Sequence, residues 1–236
     1  MSKTCIQITN LCKSYESVPV LVDLNWTIDQ GDIIGLLGKN GAGKSTLLNA
    51  IVNVHPADSG SVTIFDQNNT QLTASHKARI GYVSQINDEV SWLSIKELIA
   101  FKKQFYTTWN DEKVNELLQR WQLDVSKKLN QLSVGQAQRI QIILALAPEP
   151  DLIIFDEPAA SLDPAGRRDF LRELVNIASD DNKTIVFSTH ITSDLERVAN
   201  KVAILHEGRI CRFEELDVLK EESLQSLEDI FLEVIA

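Results

Sequence analysis

Long apolar runs are missing from this chain of 236 residues. No stretch approaches the roughly 18 residues that a membrane-spanning helix requires, and Met1-Ser2-Lys3-Thr4-Cys5-Ile6-Gln7 lacks the apolar core of a secretory signal. Cysteine is scarce as well. Cys5, Cys12 and Cys211 are odd in number and have no metal-ligand spacing, so they read as reduced thiols of a cytoplasmic protein. Basic residues are outnumbered, 23 Lys and Arg against 33 Asp and Glu, and the net charge of −10 repels a phosphate backbone. No nucleic-acid partner is expected. Internal repeats, linkers and low-complexity segments are absent too, which leaves an ordinary globular composition, 44% hydrophobic and 24% charged.

The informative presence is Gly38-Lys39-Asn40-Gly41-Ala42-Gly43-Lys44-Ser45-Thr46, which matches the phosphate-cradling pattern G-x-x-x-x-G-K-[ST]. Its flanks fit that chemistry. Asp32-Ile33-Ile34-Gly35-Leu36-Leu37 reads as a buried strand, and Leu47, Leu48, Ile51 and Val52 recur at helical spacing. Glycines 38, 41 and 43 let the backbone fold around an anion, and the following helix points its first amides at it. Lys44 would reach the β- and γ-phosphates and the Ser45 hydroxyl would ligate Mg²⁺.

Periodicity sets the rest of the organisation. Ile6, Ile8 and Leu11, then Val20, Val22, Leu24 and Trp26, alternate as in strands, and residues 61–65 and 80–84 read as two more. Residues 87–130 turn mostly helical, with Val114, Leu117, Leu118 and Trp121 on one face, and Ile140, Ile143, Leu144 and Ala147 repeat that spacing. The runs 152–155, 184–188 and 202–205 look like buried parallel strands separated by helices. Asp163-Pro164 supplies an N-cap and a first-turn proline for the helix carrying Phe170, Leu171 and Leu174. Leu224, Leu227, Ile230, Phe231 and Val234 suggest a closing amphipathic helix. The expected architecture is α/β, a nucleotide-binding core interrupted by a small helical insertion.

Two further signals narrow the chemistry. Leu152-Ile153-Ile154-Phe155 ends in Asp156-Glu157, where the first carboxylate can hold Mg²⁺ and the second can orient and deprotonate an attacking water. Leu132-Ser133-Val134-Gly135-Gln136 opens the next helix, with Ser133 as N-cap and Gly135 exposing backbone, a second anion site. One nucleotide seldom needs two phosphate-binding helix ends, but a head-to-tail pair of subunits does.

This order of motifs resembles the ATP-binding subunit of ABC (ATP-binding cassette) transporters over about residues 4–210. Leu132-Ser133-Val134-Gly135-Gln136 is similar to that family's LSGGQ signature, with Val134 in place of its first glycine. The resemblance implies a P-loop NTPase core with a mainly parallel sheet, an N-terminal antiparallel β subdomain and a helical subdomain inserted at about 87–147. All of these would lie within a single domain, 1–236, that ends in a short helical tail at about 214–236. It implies Tyr15 stacked on adenine, Gln85 as the Q-loop residue on Mg²⁺ and water, Ser161-Leu162-Asp163 as the D-loop, and His190 as the switch on the γ-phosphate. Glu157 would be the general base, with the metal held by Ser45, Asp156 and Gln85, and Ser133, Gly135 and Gln136 would meet the nucleotide of the opposite subunit.

The resemblance further implies ATP and Mg²⁺ as ligands and a homodimer or a paralogous heterodimer. It also implies a separate polytopic membrane permease and a place on the cytoplasmic face of the membrane. Trp92, Leu93, Ile95, Leu98 and Phe101 are candidates either for the permease groove or, equally, for the insertion's own core. The insertion has no long heptad run, unlike the coiled-coil chromosome ATPases. Residues 127–131 lack the glutamate-glycine loop of exporters with fused membrane domains. Phe105-Tyr106-Thr107-Thr108-Trp109-Asn110-Asp111-Glu112 and residues 188–196 resemble the bacterial ABC-2-type export ATPases of the bacitracin- and lantibiotic-resistance kind. The tail is too short for an importer's regulatory domain. The alternative is a soluble ABC ATPase that works as a regulatory switch without a membrane partner.

Overall fold

Strand alternation begins the chain, and a computed structural model, which describes residues 3–84, 92–179, 183–223 and 226–235, shows what it builds. β1 (Thr4–Tyr15) and β2 (Val18–Asp29) form an antiparallel hairpin. Its two turn residues, Glu16 and Ser17, both take positive φ, 48° and 69°, as a type I′ turn demands. There follow β3 (Ile33–Leu37), α1 (Lys44–Ile51), β4 (Ser59–Ile64), β5 (Gln67–Asn68), α2 (Ala74–Ala78) and β6 (Ile80–Val83). The helical arm comprises α3 (Ile95–Lys103), α4 (Asp111–Arg120) and α5 (Val134–Leu146). The chain then returns to the core through β7 (Leu152–Phe155), α6 (Pro164–Ala178), β8 (Thr184–Thr189), α7 (Thr192–Val198) and β9 (Lys201–His206). It closes with β10 (Arg209–Glu215), α8 (Leu216–Ser223) and α9 (Leu227–Val234).

Among the described residues the strands form two sheets. The first, ordered β2-β1-β4-β5, is antiparallel. The second is ordered β10-β9-β3-β8-β7-β6, parallel except for β10. Side-chain parity along the parallel strands explains the layering, since successive residues point to opposite faces. Ile34, Leu36, Leu152, Ile154, Val186, Ala203 and Leu205 face α1 and the antiparallel sheet. Leu37, Ile153, Phe155, Ile185, Phe187, Val202 and Ile204 face the arm and α6. Both faces are covered, so these strands are near-continuous apolar runs rather than alternating ones. Phe155 meets Phe170 of α6 edge-on at 5.4 Å, and Trp26 meets Phe213 in the same way at 5.7 Å.

The structure refines the sequence reading at several points. In β2 the buried residue is Leu21, not Val20 or Val22, because register shifts between the hairpin strands, and Asp23 at φ 47°, break the alternation before Leu24. The closing amphipathic helix is α9, with Leu227 and Ile230 buried, and α8 precedes it, since Ser226 caps α9 afresh through Asp229; Leu224 lies outside the described residues. β10 was not anticipated. Its residues are only half-buried, so their hydrophobic pattern is weak. Within the arm, Ile95 and Leu98 are buried in its own core and Leu93 packs on it. Of the five groove candidates, only Trp92 and Phe101 present substantial apolar surface.

Candidate nucleotide site

A crevice at the C-terminal ends of parallel strands is where an α/β sheet gathers loops for ligand binding. Here β3 feeds the Gly38–Thr46 loop, β7 ends in Asp156-Glu157 and β8 ends beside His190. A cleft of about 430 Å³ opens there, lined by Val20, Asn40, Gly41, Gly43, Lys44, Ser45, Thr46 and Glu157. Gly43 caps α1 at φ 100°, and a Cβ there would stand 3.1 Å from Val20 Cγ1 and 3.2 Å from its carbonyl oxygen, so glycine is required on two counts. No acidic residue occupies the first turn of α1, and its amides are open to an anion. Within the loop the Ala42 amide donates to the Lys39 carbonyl at 3.1 Å.

Lys44 is 5% exposed. Its Nζ donates to the carbonyls of Gly38 (2.8 Å) and Lys39 (3.2 Å) and lies 3.1 Å from Glu157 Oε1. The other oxygen of that carboxylate, Oε2, is 3.4 Å from His190 Nδ1. Glu157 adopts φ 47°, an unusual conformation for a residue with a side chain, and it turns the carboxylate away from the line of β7.

Asp156 is 1% exposed. Burial pushes its carboxyl above the usual range, and the neighbouring charge of Glu157 adds to this. Hydrogen bonds from Ser45 and Ser188 and the charge of Lys44 pull it back. Ser188 was not singled out from the sequence, yet it braces both carboxylate residues. Its Oγ donates to Asp156 Oδ1 and accepts from the Glu157 amide, both at 2.8 Å. The parallel register, Phe155 opposite Phe187, places it there.

The structure therefore gathers Lys44, Ser45, Asp156, Glu157 and His190 in one place. The Gly38–Thr46 loop surrounds them, whereas Ser133, Gly135, Gln136, Asp163 and Tyr15 lie outside that cleft. Ser133 caps α5 in a reciprocal box with Gln136: the Gln136 amide donates to Ser133 Oγ (3.2 Å), and the Ser133 amide donates to Gln136 Oε1 (3.1 Å). Val134 beside it is 72% exposed. A Cβ on Gly135 would stand 3.2 Å from the Ser161 carbonyl oxygen, so the two loops touch within one chain. Asp163 caps α6 through the Gly166 amide at 2.9 Å, and Arg139 of α5 reaches it at 3.4 Å. None of these lines the cleft, nor does Tyr15, which stands half-exposed at the hairpin tip. Gln85 lies outside the described residues.

A larger cleft, about 700 Å³, lies at the opposite ends of the strands among residues that include Arg79, Asp151 and Lys183. Its charges are engaged already: Arg79 with Asp151 at 2.6 Å, Lys113 with Glu173, and Lys183 with the Glu149 carbonyl at 3.1 Å. It offers no phosphate cradle.

Comparison with known proteins agrees with this arrangement. The pattern of the family described as ABC transporter matches residues 21–160. The ABC transporter ATP-binding protein YtrB of Bacillus subtilis (strain 168) is 31% identical over 220 residues, covering 93% of this chain and 75% of that protein. The bacitracin transport ATP-binding protein BcrA of Bacillus licheniformis is 32% identical over 227 residues, 95% and 74% of the two chains. The sulfate/thiosulfate import ATP-binding protein CysA of Xylella fastidiosa (strain 9a5c) is 36% identical over 214 residues, 87% and 61% of the two. Among solved structures, an ATP-binding subunit of an ABC transporter superposes with a TM-score of 0.86 at 25% identity, covering 98% of this chain and 99% of that one. The dimeric ATP-binding cassette MJ0796, in a post-hydrolysis state bound to ADP and Pi, superposes at 0.80 with 27% identity over 89% and 98%. With the matched family pattern spanning more than half of its length, this chain belongs to the ABC transporter family.

Proposed function

We propose that the chain is the ATP-binding and ATP-hydrolysing subunit of a membrane transporter and that it completes its site only when two copies meet on ATP. The observation carrying this is the separation of two anion-binding elements. Lys44, Ser45, Asp156 and Glu157 form one cluster, whereas the capped N-terminus of α5, with exposed Val134, lies outside that cleft. A head-to-tail pair would bring the second element to the first. The dimeric cassette with a similar fold supports that geometry.

In this reading the loop amides and Lys44 grip the triphosphate, and Lys44 exchanges the carbonyls of Gly38 and Lys39 and the Glu157 carboxylate for phosphate oxygens. Glu157, released from Lys44, accepts a proton from the attacking water, and His190 keeps the carboxylate oriented. The Ser45 hydroxyl and the Asp156 carboxylate, already hydrogen-bonded to each other, are an all-oxygen set suited to a hard cation. They would hold Mg²⁺, with Gln85 added; when bound, the ion would neutralise charge on the transferring phosphoryl group. Tyr15 would carry the adenine, and Ser133, Gly135, Gln136 and Asp163 would reach the opposite copy's nucleotide.

The whole of 1–236 would act as one ATP-binding domain, with the arm at about 87–147 and the tail at about 214–236 as parts of it. Among the described residues no helix is long and apolar enough to cross a membrane. In this reading a separate polytopic permease would carry the cargo, and the subunit would sit on the cytoplasmic face of the membrane. Exposed Trp92 and Phe101, with Phe105 edge-on to Phe101 at 5.1 Å, form the apolar surface offered to it. Export is the inferred direction, from the likeness of residues 105–112 to the ABC-2 branch.

The test is hydrolysis as a function of chain concentration. Specific activity should rise with concentration and saturate as pairs form, and a rate per chain independent of dilution would sink the shared site. Isolation from detergent-solubilised membranes should bring a stoichiometric multi-span protein. Its absence would favour a regulatory switch instead.

A further inference from the structure

α6 is buried on the face that carries Phe170, Leu171 and Leu174, and on that face also lies Glu173, a carboxylate at 0% exposure. A charge taken fully out of water must be compensated. Both of its partners come from the arm. Lys113 Nζ lies 2.5 Å from Glu173 Oε1 as an ion pair without hydrogen-bond geometry, and Arg120 Nη1 donates to Oε2 at 2.5 Å, the directional contact of the two. Lys113 and Arg120 are seven residues apart on α4, two turns or about 10 Å along one face, so they bracket the carboxylate from both sides. Arg120 also pairs with Glu116 one turn back, which makes the four-residue network neutral.

The network is asymmetric. The two cations keep side-chain exposures of 27% and 30% and can swing their heads to water, while Glu173 cannot. Its removal therefore frees α4, whereas removal of the cations strands a buried charge.

The position of this pin gives it a consequence for the site. α4 packs on α5 through the cluster containing Val114, Leu117 and Ile140, and α5 begins at Ser133. α6 begins at Asp163, in the loop that touches Gly135. The pin thus ties the helix bracing the arm to the helix that leaves the catalytic core. We propose that Glu173 is a positioning residue, which sets the angle at which the arm presents Ser133 and Gly135 to a second copy, and that a directional ion pair does this where apolar contact would leave the angle free. The inference rests on the two-copy reading above.

The experiment compares the full-length wild type with three variants: Glu173→Gln, Lys113→Met with Arg120→Met, and all three positions made apolar (Glu173→Leu with both methionines). Hydrogen exchange should show faster exchange in α4 and α5 of Glu173→Gln and no change in β3 or β8. Its kcat for ATP should fall about tenfold with KM unchanged, since the pin acts on presentation and not on the nucleotide cradle. The double-methionine variant should melt earlier than wild type, and adding Glu173→Leu should restore the melting temperature while kcat stays low. Wild-type exchange and turnover in Glu173→Gln would overturn the proposal. So would recovery of wild-type kcat in the apolar triple variant, because the contact would then serve cohesion alone. If wild type hydrolyses no ATP, the functional reading fails, while the exchange pattern still decides whether the pin exists.

Discussion

The nucleotide cradle and the start of α5 are both places where a helix end can meet phosphate, and they are built in opposite ways. In the cradle, the charged groups are buried and cross-braced. Lys44 is held by two carbonyls and a carboxylate, and one serine hydroxyl ties together residues of two strands. At α5 the cap is satisfied internally by Ser133 and Gln136, and the residue between the signature serine and glycine projects into solvent. In the proposed reading the first is preorganised to hold a ligand, and the second is preformed to be carried to one.

The largest effect should come from breaking the cradle. Lys44→Ala removes the ammonium proposed to grip the phosphates and takes from Glu157 its ion-pair partner Lys44. ATPase turnover should fall by at least about a hundredfold, as when a preorganised charge stabiliser is lost. Equilibrium binding of a fluorescent ATP analogue should weaken in parallel.

Ser188→Ala should come next. It deletes the donor to Asp156 and the acceptor for the Glu157 amide inside a closed interior, a loss of about 1–3 kcal/mol. That would appear as a lower melting temperature and reduced turnover together. Thermal unfolding and steady-state kinetics on one preparation check it.

Proton dependence sharpens the same contrast. The Asp156 carboxyl is raised above its unfolded value, chiefly by burial, so the folded chain binds that proton more tightly than the unfolded one. Its contribution to stability is favourable at low pH and is lost as pH rises through the raised folded-state value. Asp156→Asn, which keeps an oxygen to accept from Ser188, should therefore melt higher than wild type at neutral pH while losing turnover. A stability profile in which the variant melts lower at neutral pH would contradict this.

The smallest effect belongs to the presented element. Gln136→Ala opens the capping box on an exposed helix end and should cost about 1 kcal/mol or less of stability, while ATP binding to the single chain stays as in wild type.

The unequal construction also explains what could be read in advance. Residues 38–46, the strand ending at Asp156-Glu157 and the Ser133 cap are local patterns of one segment each, so their chemistry shows in the order of residues. Ser188 and Glu173 could not be found that way. A serine inside an apolar strand becomes a brace only through the parallel register that sets β8 beside β7. A glutamate on an amphipathic helix looks solvent-facing until α4 brings two cations to it from more than fifty residues away. Likewise Val22 looked buried from alternation alone, but irregular pairing in the hairpin gave that place to Leu21. The break between α8 and α9 was legible in part, because Ser226 and Asp229 form a capping pattern within one long apolar periodicity.

The central claim is that the cradle of one copy is completed by the α5 end of another, and it is tested most directly by the association state of a chain that binds ATP without consuming it. Glu157→Gln should retain ATP and elute as a dimer in its presence. Adding Gly135→Glu, which sets a carboxylate at the α5 end, should leave ATP binding intact and return the chain to a monomer. A double variant that still dimerises on ATP, or a Glu157→Gln chain that hydrolyses ATP rapidly as a monomer, would contradict the account.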